Sequence, residues 1–167
     1  MSYNVLDVSQ YVIKYSNERD YGISNLKLQK ILYFIQAYFL IEKNEPCFDN
    51  KIEAWGFGPV IPDVYDKYRP YANSDIPTED YFIIDENNIW NSKRVKYQDI
   101  IADADKKLIN KVVNKFANYS LSYCTALTQN QSPWIDAHSR RYNNTEITID
   151  DLRLYFCNTV TDKGKED

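Results

Sequence analysis

From Ile31 to Ile41, a stretch of 11 residues, every residue except Gln36 is apolar or aromatic. A membrane-spanning helix needs about 20 such residues, so this run is too short and reads as a helix buried in a protein core. Extending it back to Leu28 gives one face of Leu28, Ile31, Leu32, Ile35 and Phe39, while Phe34, Tyr38 and Ile41 make the other side apolar too. A helix apolar nearly all round must be wrapped by other elements, which makes it the centre of a helical bundle. Ser24 is placed as its N-cap, with Ile23 before it and Leu28 four positions inside at hydrophobic-staple spacing.

The rest of the chain supplies the wrapping. Val5, Val8, Val12 and Tyr15 form one helical stripe, broken by Asp20, Tyr21 and Gly22. Residues 52–57 read as a short strand that Gly56, Gly58 and Pro59 end. Pro62 in the first turn, Lys67 and Arg69 in the last and Pro70 as the stop define a short helix with Ile61, Val64, Tyr65 and Tyr68 inward. Residues 81–84 and 89–90 are expected to pair as a small hairpin, and 97–118 to form a long helix facing inward through Ile101, Ala104, Leu108, Val112 and Phe116. Shorter helices start at Ser120, at Ser132-Pro133 and at Thr148, where Asp151 completes a capping-box spacing. The chain of 167 residues fits one domain of roughly 150. We therefore expect a single mainly helical (α+β) domain over residues 1–160 with a small β-strand or hairpin element, and a polar, disordered tail over 161–167.

Several function classes lose support here. Lys and Arg total 20 against 24 Asp and Glu, a net charge of −4 that argues against nucleic acid as the main ligand. Neither GxxxxGK[ST] nor GxGxxG nor GxSxG occurs among the 4 glycines, so no phosphate cradle or nucleophile elbow is legible. His138 is the single histidine, and Cys47, Cys124 and Cys157 have no ligand spacing. No catalytic residue, metal site or cofactor is assigned. The unpaired cysteines and the absence of an apolar leader in residues 1–20 point to a reducing cytoplasm and away from a membrane. On the long helix Asp99, Asp103, Lys107, Lys111 and Lys115 recur at i+4, acidic early and basic late, which is a solvated stripe first and an acidic-partner surface second.

The densest segment is Glu53 to Tyr65, with two glycines, two prolines and three aromatics in 13 residues. Such rigidity serves either a fold-defining corner or a pre-organised docking surface, and the physics of the segment alone favours the corner. Tyrosine is the abundant aromatic, 15 of 25. Tyr15, Tyr33, Tyr38 and Tyr68 fall on helical faces and suit packing with the hydroxyl at a rim, whereas Tyr65, Tyr71 and Tyr81 lie around the Gly-Pro corner and suit a partner.

Three ordered blocks resemble the SocA-like, or Panacea, domain family of bacterial and prophage antitoxins. They are the segment Ser24 to Tyr33, then Glu53-Ala54-Trp55 with Gly58-Pro59-Val60, Pro62, Val64 and Tyr65, and then Leu127-Thr128 with Ser132-Pro133-Trp134 and Ala137. Gln129 stands where the family often carries a histidine, and Ser120 where a glycine commonly follows the tyrosine. The resemblance implies a non-enzymatic antitoxin that neutralises a cognate toxin by direct contact, or alternatively an adaptor that delivers its bound partner to a protease. Direct DNA binding is not expected. On this reading the candidate partner-binding residues are Trp55, Phe57, Gly58, Pro59, Pro62, Tyr65 and Tyr71, with Lys107, Lys111 and Lys115 as a second candidate surface.

Overall fold

The computed structural model describes residues 2–79, 81–83, 93–95, 100–140 and 145–157, with backbone alone for 81–83 and 93–95. Helix α1 (Val5–Glu18) starts at Asn4, whose side chain accepts from the Leu6 N–H, and ends where Asp20 and Gly22 turn to positive φ. Helix α2 (Asn25–Lys43) starts at Ser24, whose hydroxyl accepts from the Lys27 N–H, and stops at Asn44 in the left-handed region. Both caps satisfy N–H groups that a helix start leaves without partners.

As its sequence demands, α2 is the hub. Every residue from Leu28 to Leu40 is buried except the half-buried Tyr38, and α1, α3 (Pro62–Tyr68), α4 (Asp103–Phe116) and α5 (Leu121–Gln129) pack around it. Its buried amides are used as clamps. Gln36 accepts from the Cys47 N–H (2.8 Å) and the Phe48 N–H (3.2 Å) and donates to the Phe48 carbonyl (2.7 Å). Gln29 accepts from the Ile61 N–H (2.9 Å) and donates to Asn25 (2.9 Å). Buried amides of this kind are tolerable because both ends are hydrogen-bonded.

Strand β1 (Ile52–Trp55) lies at the middle of a three-stranded antiparallel sheet of order β2-β1-β5. Its neighbours are β2 (Gly58–Val60) and β5 (Glu146–Ile147), the latter arriving from far along the chain. The expected single strand over 52–57 is thus a hairpin. Gly56 and Phe57 form its turn, and Gly58-Pro59, read as strand terminators, begin the returning strand. Proline is accommodated because β2 is an edge strand, opposite Ala54.

Helix α3 (Pro62–Tyr68) follows, with Val64 and Tyr68 buried, Tyr65 half-buried and a 3-10 turn at Arg69–Tyr71. A second hairpin pairs β3 (Tyr81–Ile83) with β4 (Lys93–Val95), so the expected partner at 89–90 is replaced by a segment a few residues later; 89–90 itself is outside the described residues. Helix α4 (Asp103–Phe116) is shorter than expected: residues 100–102 are not helical, and 97–99 are outside the described residues. Leu108, Val112 and Phe116 face inward as expected, but Ala104 is exposed. Helices α5 (Leu121–Gln129), α6 (Ser132–Ser139) and α7 (Ile149–Leu152) complete the set, followed by a π-helical turn at Arg153–Cys157. Thr148 and Asp151 form the expected capping box, each side chain accepting from the other's backbone N–H (3.1 and 3.0 Å). The protein is mainly α with a small β element, and no helix among the described residues is long and apolar enough to cross a membrane. The tail 161–167 is outside the described residues.

Candidate functional site

The β1–β2 hairpin is held at its tip by side chains from three distant segments. From α2, the buried Lys30 ammonium donates to the Pro59 carbonyl (3.2 Å). From the end of α5, Gln129 donates to the Gly56 carbonyl (3.0 Å), and from α6 the Trp134 indole N–H donates to the Trp55 carbonyl (2.9 Å). The three sequence blocks of the opening reading therefore converge on one turn.

Glycine is required at position 58. Its φ is +110°, and a Cβ there would lie 2.7 Å from Lys30 Cε and 3.2 Å from Thr128 Oγ1. Lys30 is itself unusual: burial lowers its pKa to about 8, and its ammonium lies 5.4 Å from the Phe57 ring centroid. Desolvation disfavours the charged amine, while the ring face and the carbonyl partly compensate.

Above this clamp the aromatic side chains gather. Trp55 packs edge-on against Phe57 (centroids 5.8 Å apart) and against Tyr65 (5.1 Å), and Phe57 lies 6.3 Å from Tyr65. The Arg69 guanidinium is 5.5 Å from the Tyr65 ring. Trp55 and Tyr65 are half-buried and Phe57 is 38 % exposed. Gly58 and Pro59 are buried beneath them, and Pro62 opens α3 at their edge. Tyr71 stands apart from this trio, at the far end of α3, with its ring 6.4 Å from Tyr68 and its hydroxyl donating to Glu79. That hydrogen bond raises the Tyr71 pKa. The side chain of Tyr81 is outside what the structure describes.

The α4 lysines are arranged differently from the expected intrahelical ladder. Lys111 pairs with Glu42 of α2 (2.9 Å), Lys115 donates to the Tyr38 hydroxyl (2.8 Å), and Lys107 is exposed; Asp103 pairs with Lys106 at 3.6 Å. The stripe thus reaches across to α2. His138 is exposed and stacked on Trp134 (4.4 Å, 15°), and Cys47 and Cys124 are buried, with burial pushing both thiols upward. No cluster of three or more His, Cys, Asp or Glu that could hold a metal occurs among the described residues.

Sequence reading missed Lys30, Gln129 and Arg69 as parts of this site. Lys30 left a trace, a charge directly before the apolar run of α2, and Gln129 left another as a departure from the family pattern, but Arg69 sits on an ordinary helix end and gave no signal.

This hairpin and its clamps fall within the part of the chain that matches a known domain. The model of the antitoxin SocA-like, Panacea domain covers residues 28–135. Antitoxin SocA of Caulobacter vibrioides (strain NA1000 / CB15N) is 54% identical over 46 residues, a segment that makes up 28% of this chain and 24% of that protein. No solved structure matches. With the domain match spanning more than half of its length, the chain belongs to the antitoxin SocA-like family, built on the Panacea domain.

Proposed function

We propose that this protein is an antitoxin that neutralises a cognate toxin protein by direct binding, and that the toxin docks on the aromatic ridge of Trp55, Phe57 and Tyr65. The observation that carries this reading is pre-organisation. The ridge is partly exposed, yet its backbone is pinned at Trp55, Gly56 and Pro59 by three buried or half-buried side chains. Rigid aromatics on a fixed backbone lose little entropy on binding, and Trp, Tyr and Arg dominate the energetics of protein interfaces. Gly58, Pro59 and Pro62 shape the ridge from below, Arg69 extends it along α3, Tyr71 offers a separate contact at the far end of that helix, and Lys107, Lys111 and Lys115 form a second contact surface. Membership of an antitoxin family supports the toxin as the partner.

The test is co-expression with the protein encoded beside it, scored by growth rescue and co-purification. Trp55→Ala and Tyr65→Ala, each at a half-buried surface position, are expected to weaken binding at least about tenfold while the chain remains folded. If both folded variants still rescue growth and co-purify, the ridge is not the docking site. Following the toxin's half-life in the same cells separates sequestration, in which the toxin persists, from delivery to a protease, in which it disappears.

A further inference from the structure

A groove of about 430 Å³ lies between α2, the α4–α5 corner and the π-helical turn at the C-terminal end. Its floor follows α2 through Phe34, Tyr38 and Ile41, at i, i+4 and i+7, a stretch of about 10 Å along the helix axis. One wall carries Tyr119 and Tyr123, which are 37 % and 49 % exposed with rings 4.8 Å apart; the other carries Phe156. Large aromatic side chains exposed side by side mark interaction surfaces.

Among the described residues Lys115 is the one charged side chain lining this groove. Its ammonium donates to Tyr38 and lies 5.5 Å from the Tyr38 ring and 5.6 Å from the Phe116 ring. Glu42, on the next turn of α2, is engaged by Lys111 at 2.9 Å, so among the described residues Lys115 meets no carboxylate. An aromatic trough whose described lining carries one cation is locally complementary to an apolar face that brings its own carboxylate. The walls are helices, whose backbone groups are used internally, so strand addition has nothing to pair with. Residues 158–167 carry no aromatic and one branched aliphatic side chain, Val160, so their sequence offers no apolar face at helical spacing.

From this we infer that the groove is a docking site for an amphipathic helix of a partner protein, presenting apolar side chains at helical spacing and an acidic residue to Lys115. It is separate from the hairpin ridge and stands whether or not the toxin binds there.

The test uses the full chain and three fluorescein-labelled synthetic peptides: a helical peptide with a leucine face flanked by glutamates, the same peptide flanked by lysines, and a proline-rich peptide. Fluorescence anisotropy is expected to show the glutamate peptide binding at least about tenfold tighter than either of the others. Tyr123→Ser is expected to weaken it about tenfold, and Lys115→Glu to reverse the preference between the two charged peptides. Both positions are exposed, so thermal melts should match the unmodified chain. The inference is overturned if no peptide binds, if the two charged peptides bind equally, or if the proline-rich peptide binds most tightly. It is equally overturned if ultracentrifugation finds a dimer that Tyr123→Ser dissolves, since a second copy then covers the groove, or if binding appears only after residues 158–167 are deleted.

Discussion

The tyrosine excess resolves, residue by residue, into a row of hydroxyls that joins the first helix region to α4. Tyr3 donates to Asp105 (2.5 Å), Tyr11 to Asn110 (2.7 Å) and Tyr21 to Asn114 (2.8 Å), while Tyr15 accepts from Asn114 (2.9 Å). Tyr15, Tyr33 and Tyr68 are buried and Tyr38 half-buried, as their helical positions implied, but the Tyr68 hydroxyl is buried with its ring and does not reach the expected rim. The acceptors on α4 could not be read from sequence, because an Asn or Asp on a mixed helix face looks like ordinary surface. Lys30 carries the clearest residue-scale prediction. Its folded pKa of about 8 is below the ordinary 10.5, so between those values the unfolded chain binds more protons than the folded one. Stability from this group therefore rises as pH rises through about 8, the penalty of burying the charge being fully present below that. Against Lys30→Met, the native chain is expected to gain about 1 kcal/mol between pH 8 and 9 in urea titrations. A flat difference between the two chains across that range would show that Lys30 keeps its ordinary pKa.

At the scale of elements, helices with a cap and an apolar stripe were legible, and strands with short pairings were not. Asn4 escaped notice as a cap, but α1, α2, α3 and the α7 capping box follow from local patterns that act within one or two turns. The sheet depends on β5, a strand of two residues whose partner lies almost a hundred positions away, and no local period reports such a pairing. The hairpin was misread for a related reason. Gly58-Pro59 has the composition of a stop, and only the edge position of β2 lets it continue as a strand. The choice between a fold-defining corner and a docking surface thereby loses its sharpness, since buried Gly58 and Pro59 do the first while Trp55, Phe57 and Tyr65 remain partly exposed. Gly58→Ala tests the corner. Strain at φ +110° and a Cβ 2.7 Å from Lys30 Cε are expected to cost about 2–4 kcal/mol, read as a lower urea midpoint. Gly56→Ala is the control: nothing lies within 4 Å of a Cβ there, and its cost should be under about 1 kcal/mol. Equal effects of the two substitutions would contradict the close approach of Lys30 to the hairpin.

Across the whole molecule, α2 ties together elements that also contact one another around it. Gln36, at its centre, grips the Cys47–Phe48 backbone. That segment in turn receives the N-terminus, through the Tyr3 N–H donating to the Cys47 carbonyl (2.8 Å) and an isolated parallel bridge between Tyr3 and Phe48. Tyr3 reaches Asp105 at the start of α4, which Lys43 at the end of α2 also binds. The hydrogen-bonded path therefore leaves the middle of α2, passes through the N-terminus and α4, and returns to the end of α2. Gln36, the polar residue in an otherwise apolar run, ties this circuit to the core. Gln36→Met keeps the volume but leaves two buried N–H groups and a carbonyl without their partner, and is expected to cost about 3 kcal/mol. Because Tyr3 depends on the same segment, the loss should be transmitted along the circuit. In a double-mutant cycle with Tyr3→Phe, the combined variant should lose at least about 0.5 kcal/mol less than the sum of the single losses. Unfolding should stay a single transition with an unchanged denaturant slope. Strict additivity would mean that the Gln36 clamp is local and that the N-terminus is held by α4 alone.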